Sequence, residues 1–311
     1  MVAMTGSTSS DDTARLPAPD ALTARLGKTL PNFGLVQWVD TTGSTNDDLS
    51  QRIKLGAAPG MPWLLGAHTQ QTARGRAARP WQNTAGDTLM FSCAFSPNIP
   101  LAQLPGLSPA LGVAACVALR ELFAPRLGAL ASQNLALKWP NDLQWGSAKL
   151  AGILVETAQQ PGARHPCVII GIGLNLRGAQ ALSAQLQREI ADVSDIMACA
   201  QTPLASNNVG LCASEIVSTI AQAWQKALDV YATTGYAAFQ DLFHSVDVLA
   251  SQSVQVVDQG RVLHIGIAQG TDAIGRLLVQ TEAAVVPVLV GDVSIKRPPT
   301  TEPAAILKGA P

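Results

Sequence analysis

Val168-Ile169-Ile170-Gly171-Ile172-Gly173-Leu174-Asn175-Leu176 is an apolar, β-branched run broken by two glycines. Branched side chains suit a pleated strand, and glycine inside a strand marks close approach by a ligand or another backbone. The same run excludes a common alternative. A dinucleotide-binding turn needs G-x-G-x-x-G, and Leu176 stands where the third glycine is required.

Working outward, Leu135–Trp139, Leu143–Trp145 and Leu150–Glu156 read as strands, with Gly146-Ser147 as a turn. Upstream, Leu35–Val39, Trp63–His68 and Leu89–Phe95 are strand-like. Ser44-Thr45-Asn46-Asp47 opens a helix through an S-x-x-D box ahead of Leu49 and Ile53. Ser108-Pro109 is read as the capped start of an amphipathic helix. From Ser214 to His244 apolar residues recur at helical spacing, interrupted near Gly235, which predicts two helices. Beyond Val246 short strands alternate with Gly- and Asp-containing turns, as in a small barrel. The predicted organisation is a flexible leader over 1–30 with a weak helix around Asp20–Lys28, a catalytic domain over 31–246, a small domain over 247–297 and a flexible tail over 298–311.

Length and composition limit the function. A chain of 311 residues, 47% apolar and 14% charged, has enough apolar content for a sizeable core. A net charge of −1 gives no general affinity for nucleic acid or anionic lipid. Cys93, Cys116, Cys167, Cys199 and Cys212 are odd in number and contain no C-x-x-C pair, so they encode neither a disulfide framework nor a zinc site; a reducing cytoplasm is expected. No uninterrupted apolar run reaches the length a bilayer demands, so neither membrane insertion nor export is expected.

The densest polar feature is Gln70-Gln71-Thr72-Ala73-Arg74-Gly75-Arg76-Ala77-Ala78-Arg79-Pro80-Trp81. Guanidinium forks suit phosphate and carboxylate oxygens, and Gly75 lets the backbone approach a ligand. A solvated basic loop and an RNA-binding loop with a stacking Trp81 are the competing readings. Lys138-Trp139-Pro140-Asn141-Asp142 ends a strand in a turn. Lys149 lies among apolar residues, where an unpaired cation is costly, and a solitary lysine on an edge strand explains it equally well. Templates for a serine nucleophile elbow, a P-loop and a zinc protease are all missing, and His68, His165, His244 and His264 are scattered. Arginine, lysine and glycine-opened backbone without a nucleophile suit transfer between a carboxylate and a nucleotide phosphate.

Four ordered motifs then resemble those of the biotin protein ligases over about residues 35–297: Gly43-Ser44-Thr45-Asn46, the Gln70–Trp81 loop, Lys138–Asp142 with Lys149–Glu156, and Gly171–Asn175. Gly266–Gly270 and Gly291–Ile295 resemble parts of the family's terminal module. The resemblance implies an α+β fold: a catalytic domain like that of class II aminoacyl-tRNA synthetases, with a mostly antiparallel mixed sheet, and a C-terminal SH3-like barrel. It implies activation of biotin by ATP with Mg2+ to biotinyl-5′-AMP, then transfer to a lysine of a biotin carboxyl carrier protein. It also implies a monofunctional ligase, without DNA or membrane as partner, that can form a homodimer.

Position by position, the resemblance implies that Ser44, Thr45, Asn46, Gln70, Arg74, Lys149, Gly152, Gly171 and Gly173 bind biotin. Arg76, Arg79, Trp81, Asn141, Lys149 and Asn175 would hold ATP or the adenylate. Arg74, Arg76 and Lys149 are the implied catalytic cations, Asp142 serves acceptor attack, and no metal ligand is implied. Ala73 and Ala78 stand where the family usually has glycine, and Ala77 where some members carry a basic residue, so loop closure and adenylate retention are expected to differ. A lipoate-type ligase, a nucleic-acid-binding biotin-responsive regulator and a non-catalytic biotin sensor are the alternative readings.

Overall fold

The computed structural model describes residues 16–56, 60–82, 84–199, 211–258, 261–288 and, as backbone only, 293–296. The order is α1 (Pro19–Thr29), β1 (Leu35–Thr42), α2 (Thr45–Lys54), β2 (Trp63–Gln70), β3 (Thr88–Phe95), α3 (Leu107–Leu127), α4 (Ala129–Ser132), β4 (Leu135–Lys138), β5 (Asp142–Trp145), β6 (Ala148–Ala158) and β7 (Cys167–Asn175). Four helices follow, α5 (Ala179–Leu186), α6 (Val193–Ala198), α7 (Ala213–Thr234) and α8 (Gln240–Val246). The chain ends in β8 (Ser253–Asp258), β9 (Arg261–Thr271), β10 (Leu277–Gln280), β11 (Val285–Val288) and β12 (Val293–Lys296).

Seven strands form one mixed sheet in the order β1-β2-β3-β7-β6-β5-β4. β1 and β2 run parallel, and the remaining neighbours are antiparallel. Parallel strands need a crossover, and α2 supplies it. Ser44 Oγ caps α2 by accepting the Asp47 N–H at 3.4 Å, as the S-x-x-D box predicts.

Strand alternation sends β7 residues to two different layers. Ile170, Ile172 and Leu174 join the main core with residues of α3 and α7, while Ile169 joins Leu49 and Ile53 of α2. The C-terminal strands form an antiparallel sheet in the order β11-β10-β9-β8-β12. It is docked on the main core: Val254, Val256, Leu277 and Val279 belong to the same buried cluster. Trp139 Nε1 donates to Gly275 C=O at 2.9 Å across the junction.

Several expectations need correction. The helix expected around Asp20–Lys28 forms as α1, but residues 16–30 are not a loose leader: Leu16, Leu22, Leu26 and Leu30 are buried in the main core. Ser108 is not a cap. A 3-10 turn over Leu101–Gly106 runs into α3, whose Leu107 N–H is already taken by Leu104 C=O, and Ser108 and Pro109 fall inside the first turn. Leu101–Leu127 does reach membrane-spanning length and apolarity, with a mean hydropathy of 1.5, because a helix tolerates the few charges that interrupt a run. Yet 61% of its most apolar 18 residues, to which that hydropathy belongs, are buried within the protein, as expected of a core helix. α5 and α6 were unforeseen: α5 buries only Ala179 and therefore shows no apolar stripe. Asp192 organises both, accepting the Ala179 and Asp195 N–H groups at 2.7 Å each. Residues 1–15, Gly291-Asp292 and the predicted tail lie outside the described residues.

Candidate active site

The register of three central strands lays out the floor of a cavity. Ser92 of β3 and Leu154 of β6 flank Gly171, and one pleat further on Met90 and Gly152 flank Gly173. Both rows line a cavity of about 360 Å³, within the size range of small-molecule sites. The glycines are needed because side chains descend onto the sheet. A Cβ at Gly171 would lie 2.4 Å from Asn46 Oδ1, and one at Gly173 would lie 2.5 Å from the Trp81 ring. A Cβ at Gly152 would meet Trp81 at 3.0 Å and Lys149 Nζ at 3.3 Å.

The start of α2 and the end of β2 form a neutral polar wall. Thr45 N–H donates to Gln70 Oε1 at 2.9 Å, and Ser92 Oγ donates to Asn46 Oδ1 at 2.6 Å. Ser44, Thr45, Asn46 and Ser92 are all buried. The basic loop forms the roof and is a folded hairpin. Arg74 bridges Pro80, Gly75 N–H donates to Arg79 C=O at 2.8 Å, and Trp81 N–H donates to Ala73 C=O at 2.9 Å. At its tip Ala77 and Ala78 both adopt φ of 53°, the left-handed region that favours glycine. Ala78, one of the positions where the resemblance implies glycine, therefore sits on strained backbone.

Lys149 Nζ lies 2.6 Å from Asp142 Oδ1 and 5.2 Å from the centre of the Trp81 ring, so an ion pair and a ring face hold one cation at the Gly152–Gly173 row. Arg74 is differently engaged. It grips Asp47 with two bonds of 2.5 and 2.6 Å and reaches Glu156 Oε1 at 3.0 Å. These carboxylates raise the guanidinium further above its ordinary value, Asp47 first, while Arg74 holds the Asp47 carboxyl below the usual range. Its charge is thus already matched, unlike the anion-seeking guanidinium that the density of basic residues in the loop suggests.

Of the residues singled out from sequence, Ser44, Thr45, Asn46, Gln70, Arg74, Arg76, Arg79, Trp81, Asn141, Asp142, Lys149, Gly152, Gly171 and Gly173 all line this cavity. Asn175 does not. It shares a strand face with Gly173, but the segment 189–191 covers it: Lys149 N–H donates to Glu189 C=O at 3.0 Å, and Ala191 N–H to Lys149 C=O at 2.9 Å. Asn175 Nδ2 donates to Ala191 C=O at 3.2 Å, bracing the backbone around Lys149. Among the scattered histidines, His68 is a packing residue whose Nδ1 accepts from Trp38 Nε1 at 3.0 Å.

Sequence reading missed Ser92, Lys138 and Arg188 as lining residues. Ser92 becomes visible only through strand register, and Arg188 has no local signal. Glu156 was within a quoted motif and lies on the strand face of Gly152 by period-2 alternation, a signal that was available. Among the described residues no group of three or more His, Cys, Asp or Glu side chains gathers to hold a metal ion.

Residues 38–175 match the biotin/lipoate A/B protein ligase family. The chain is 30% identical over 256 residues to the biotin–[acetyl-CoA-carboxylase] ligase of Mycobacterium tuberculosis, covering 82% of this chain and 86% of that one. It is 26% identical over 266 residues to the bifunctional ligase/repressor BirA of Escherichia coli, covering 85% of this chain and 74% of that one. In fold it matches the Aquifex aeolicus biotin protein ligase solved with biotin and ATP, with a TM-score of 0.66 at 22% identity, over 85% of this chain and 99% of that one. The cavity floor, its polar wall and its basic roof are therefore those of a chain that belongs to the biotin protein ligases.

Proposed function

We propose that this chain activates biotin with MgATP to biotinyl-5′-AMP, releasing pyrophosphate, and then passes the biotinyl group to a lysine of a biotin carboxyl carrier domain. One observation carries the reading. A neutral polar wall at the Gly171 row and the Lys149 ammonium at the Gly152–Gly173 row share one cavity, the rows two residues apart along β7, or about 7 Å.

The wall (Ser44, Thr45, Asn46, Gln70) suits the uncharged ureido group. Arg76, Arg79, Lys138, Lys149 and Arg188 line the same cavity and suit a carboxylate brought against a triphosphate. In the first step the biotin carboxylate attacks the α-phosphorus and the P–O bond to pyrophosphate breaks. Lys149 offsets the charge that builds on the phosphoryl oxygens, and the Arg76–Trp81 roof closes over the adenylate. Trp81 then offers a stacking face to adenine, with Asn141 beside it. In the second step Asp142 accepts a proton as the acceptor amine attacks the acyl carbon and AMP departs. Arg74, held by two carboxylates, shapes the wall and leaves the phosphates to the other cations. Mg2+ arrives with the triphosphate, in keeping with its preference for phosphate oxygens and water. The five-stranded antiparallel C-terminal sheet supports reading residues 247–297 as an SH3-like module, and the free cysteines suit a reducing cytoplasm.

The test is reconstitution from purified chain, labelled biotin, MgATP and a carrier domain. Pyrophosphate release followed by label on the carrier is expected. Tight biotin retention with an unlabelled carrier makes the protein a sensor, and equal use of lipoate makes it a lipoate-type ligase.

A further inference from the structure

Glu156 touches no space at the cavity surface, yet its carboxylate stands at the head of a hydrogen-bond chain that ends there. Its Oε2 accepts from Asn46 Nδ2 at 2.6 Å, while its other face takes Arg74. A carboxylate only accepts, so the Asn46 amide must turn its NH2 toward Glu156 and its Oδ1 away. Oδ1 lies 2.6 Å from Ser92 Oγ, whose single proton is thereby committed to Asn46. Ser92 Oγ also lies 2.6 Å from Thr45 Oγ1. With the Ser92 proton engaged, that contact is attractive only if Thr45 donates. Thr45 is then left with lone pairs, rather than a proton, for whatever occupies the cavity. Ser44 Oγ accepts the Asp47 N–H at 3.4 Å, and its own hydroxyl hydrogen-bonds the Asp47 carboxylate.

We infer that Glu156 is a positioning residue that sets hydrogen-bond polarity through Asn46 and Ser92, making Thr45 an acceptor for a ligand N–H. A urea offers N–H donors beside a carbonyl acceptor, and an accepting Thr45 matches one of those N–H groups. The inference rests on the biotin reading above and adds the origin of its selectivity.

The chain of protons makes a reversible prediction. In Glu156→Gln the Arg74 guanidinium keeps the acceptor oxygen of the new amide, so the NH2 faces Asn46. Asn46 must flip, Ser92 must donate to Thr45, and the Thr45 proton is then shared between Gln70 Oε1, 3.4 Å away, and the cavity. Calorimetry on the full chain compares biotin with its two cyclic carbamates, in which one or the other ureido N–H is replaced by oxygen.

The parent is expected to bind at least one carbamate roughly tenfold or more weakly than biotin, the order of one unmatched buried polar contact. Glu156→Gln is expected to narrow that ratio to near one through weaker biotin binding and better carbamate binding. The KM for ATP should stay close to parental, which separates lost polarity from general loosening of the site. Ser92→Ala cuts the chain without touching Arg74 and is expected to narrow the ratio as well, which keeps the test alive if Glu156→Gln folds poorly. A parent that binds biotin but discriminates neither carbamate, or variants that keep the parental ratio, overturns the role of Glu156. A parent that binds no biotin overturns the functional reading instead, so the two failures are distinct.

Discussion

The two faces of β7 show how one strand can both seal a core and open a site. Ile170, Ile172 and Leu174 point to the α3 and α7 layer and are buried there without polar partners. Their neighbours Gly171 and Gly173 face the α2 side, where the absent Cβ atoms are replaced by Asn46 and Trp81. A substitution on the first face should therefore act on stability, and one on the second on ligand handling.

The largest expected effect lies on the open face. Lys149→Ala removes the cation beside the Gly152–Gly173 row and should slow adenylate formation by about 10²–10³-fold, read as pyrophosphate release at saturating ATP. Unchanged release would remove Lys149 from the chemistry. Next comes the direct contrast between faces. Leu174→Ala empties a fully buried position and should cost about 2–5 kcal/mol of unfolding free energy, with little change in biotin affinity of the folded fraction. Gly171→Ala puts a Cβ 2.4 Å from Asn46 Oδ1 and should weaken biotin binding roughly tenfold or more while costing less stability than Leu174→Ala. Equal behaviour of the two variants would erase the distinction between the faces.

A third effect belongs to the junction with the C-terminal sheet. Burial pushes the Asp247 carboxyl up to about 6 from 3.8, against the Leu249 N–H that lowers it. The folded chain keeps this proton to higher pH than the unfolded chain does. Stability from this group is therefore present in full below about pH 4 and is lost as pH rises through about 6. Asp247→Asn should gain up to about 3 kcal/mol at pH 8 and almost nothing at pH 4, measured by urea unfolding at both. A gain of equal size at the two pH values would show that titration is not its cause. The smallest effect is expected at the roof. Ala78→Gly relieves a φ of 53° but adds freedom to the unfolded chain, so stability should change by less than about 1 kcal/mol. The informative readout is escape of biotinyl-adenylate, which should change if the strained tip controls closure.

Much of the site was legible because it is written in local rules. The S-x-x-D box placed Ser44 at a helix start, and glycines two apart in a strand marked an opened face. The R-G-R loop is longer than a connection between neighbouring strands requires. What was not legible depended on partners distant in sequence. Arg74 reads as a free cation until Asp47 and Glu156, 27 and 82 residues away, are seen to neutralise it. Asn175 reads as a cavity residue until the segment 189–191 is laid across it, and α5 gave no stripe because it packs through a single alanine.

Side-chain type and spacing alone determined where strands, helices and a cation-rich, glycine-opened segment lie, because period-2 and period-3.6 patterns and charge density are properties of neighbouring residues, and four ordered motifs added the resemblance to the biotin protein ligases. Which cations remain available, which amides are covered and which way the hydroxyl protons run were decided only by tertiary structure. Each depends on the register of β3, β6 and β7 against α2, and register is set by the packing of whole faces rather than by any short stretch of sequence.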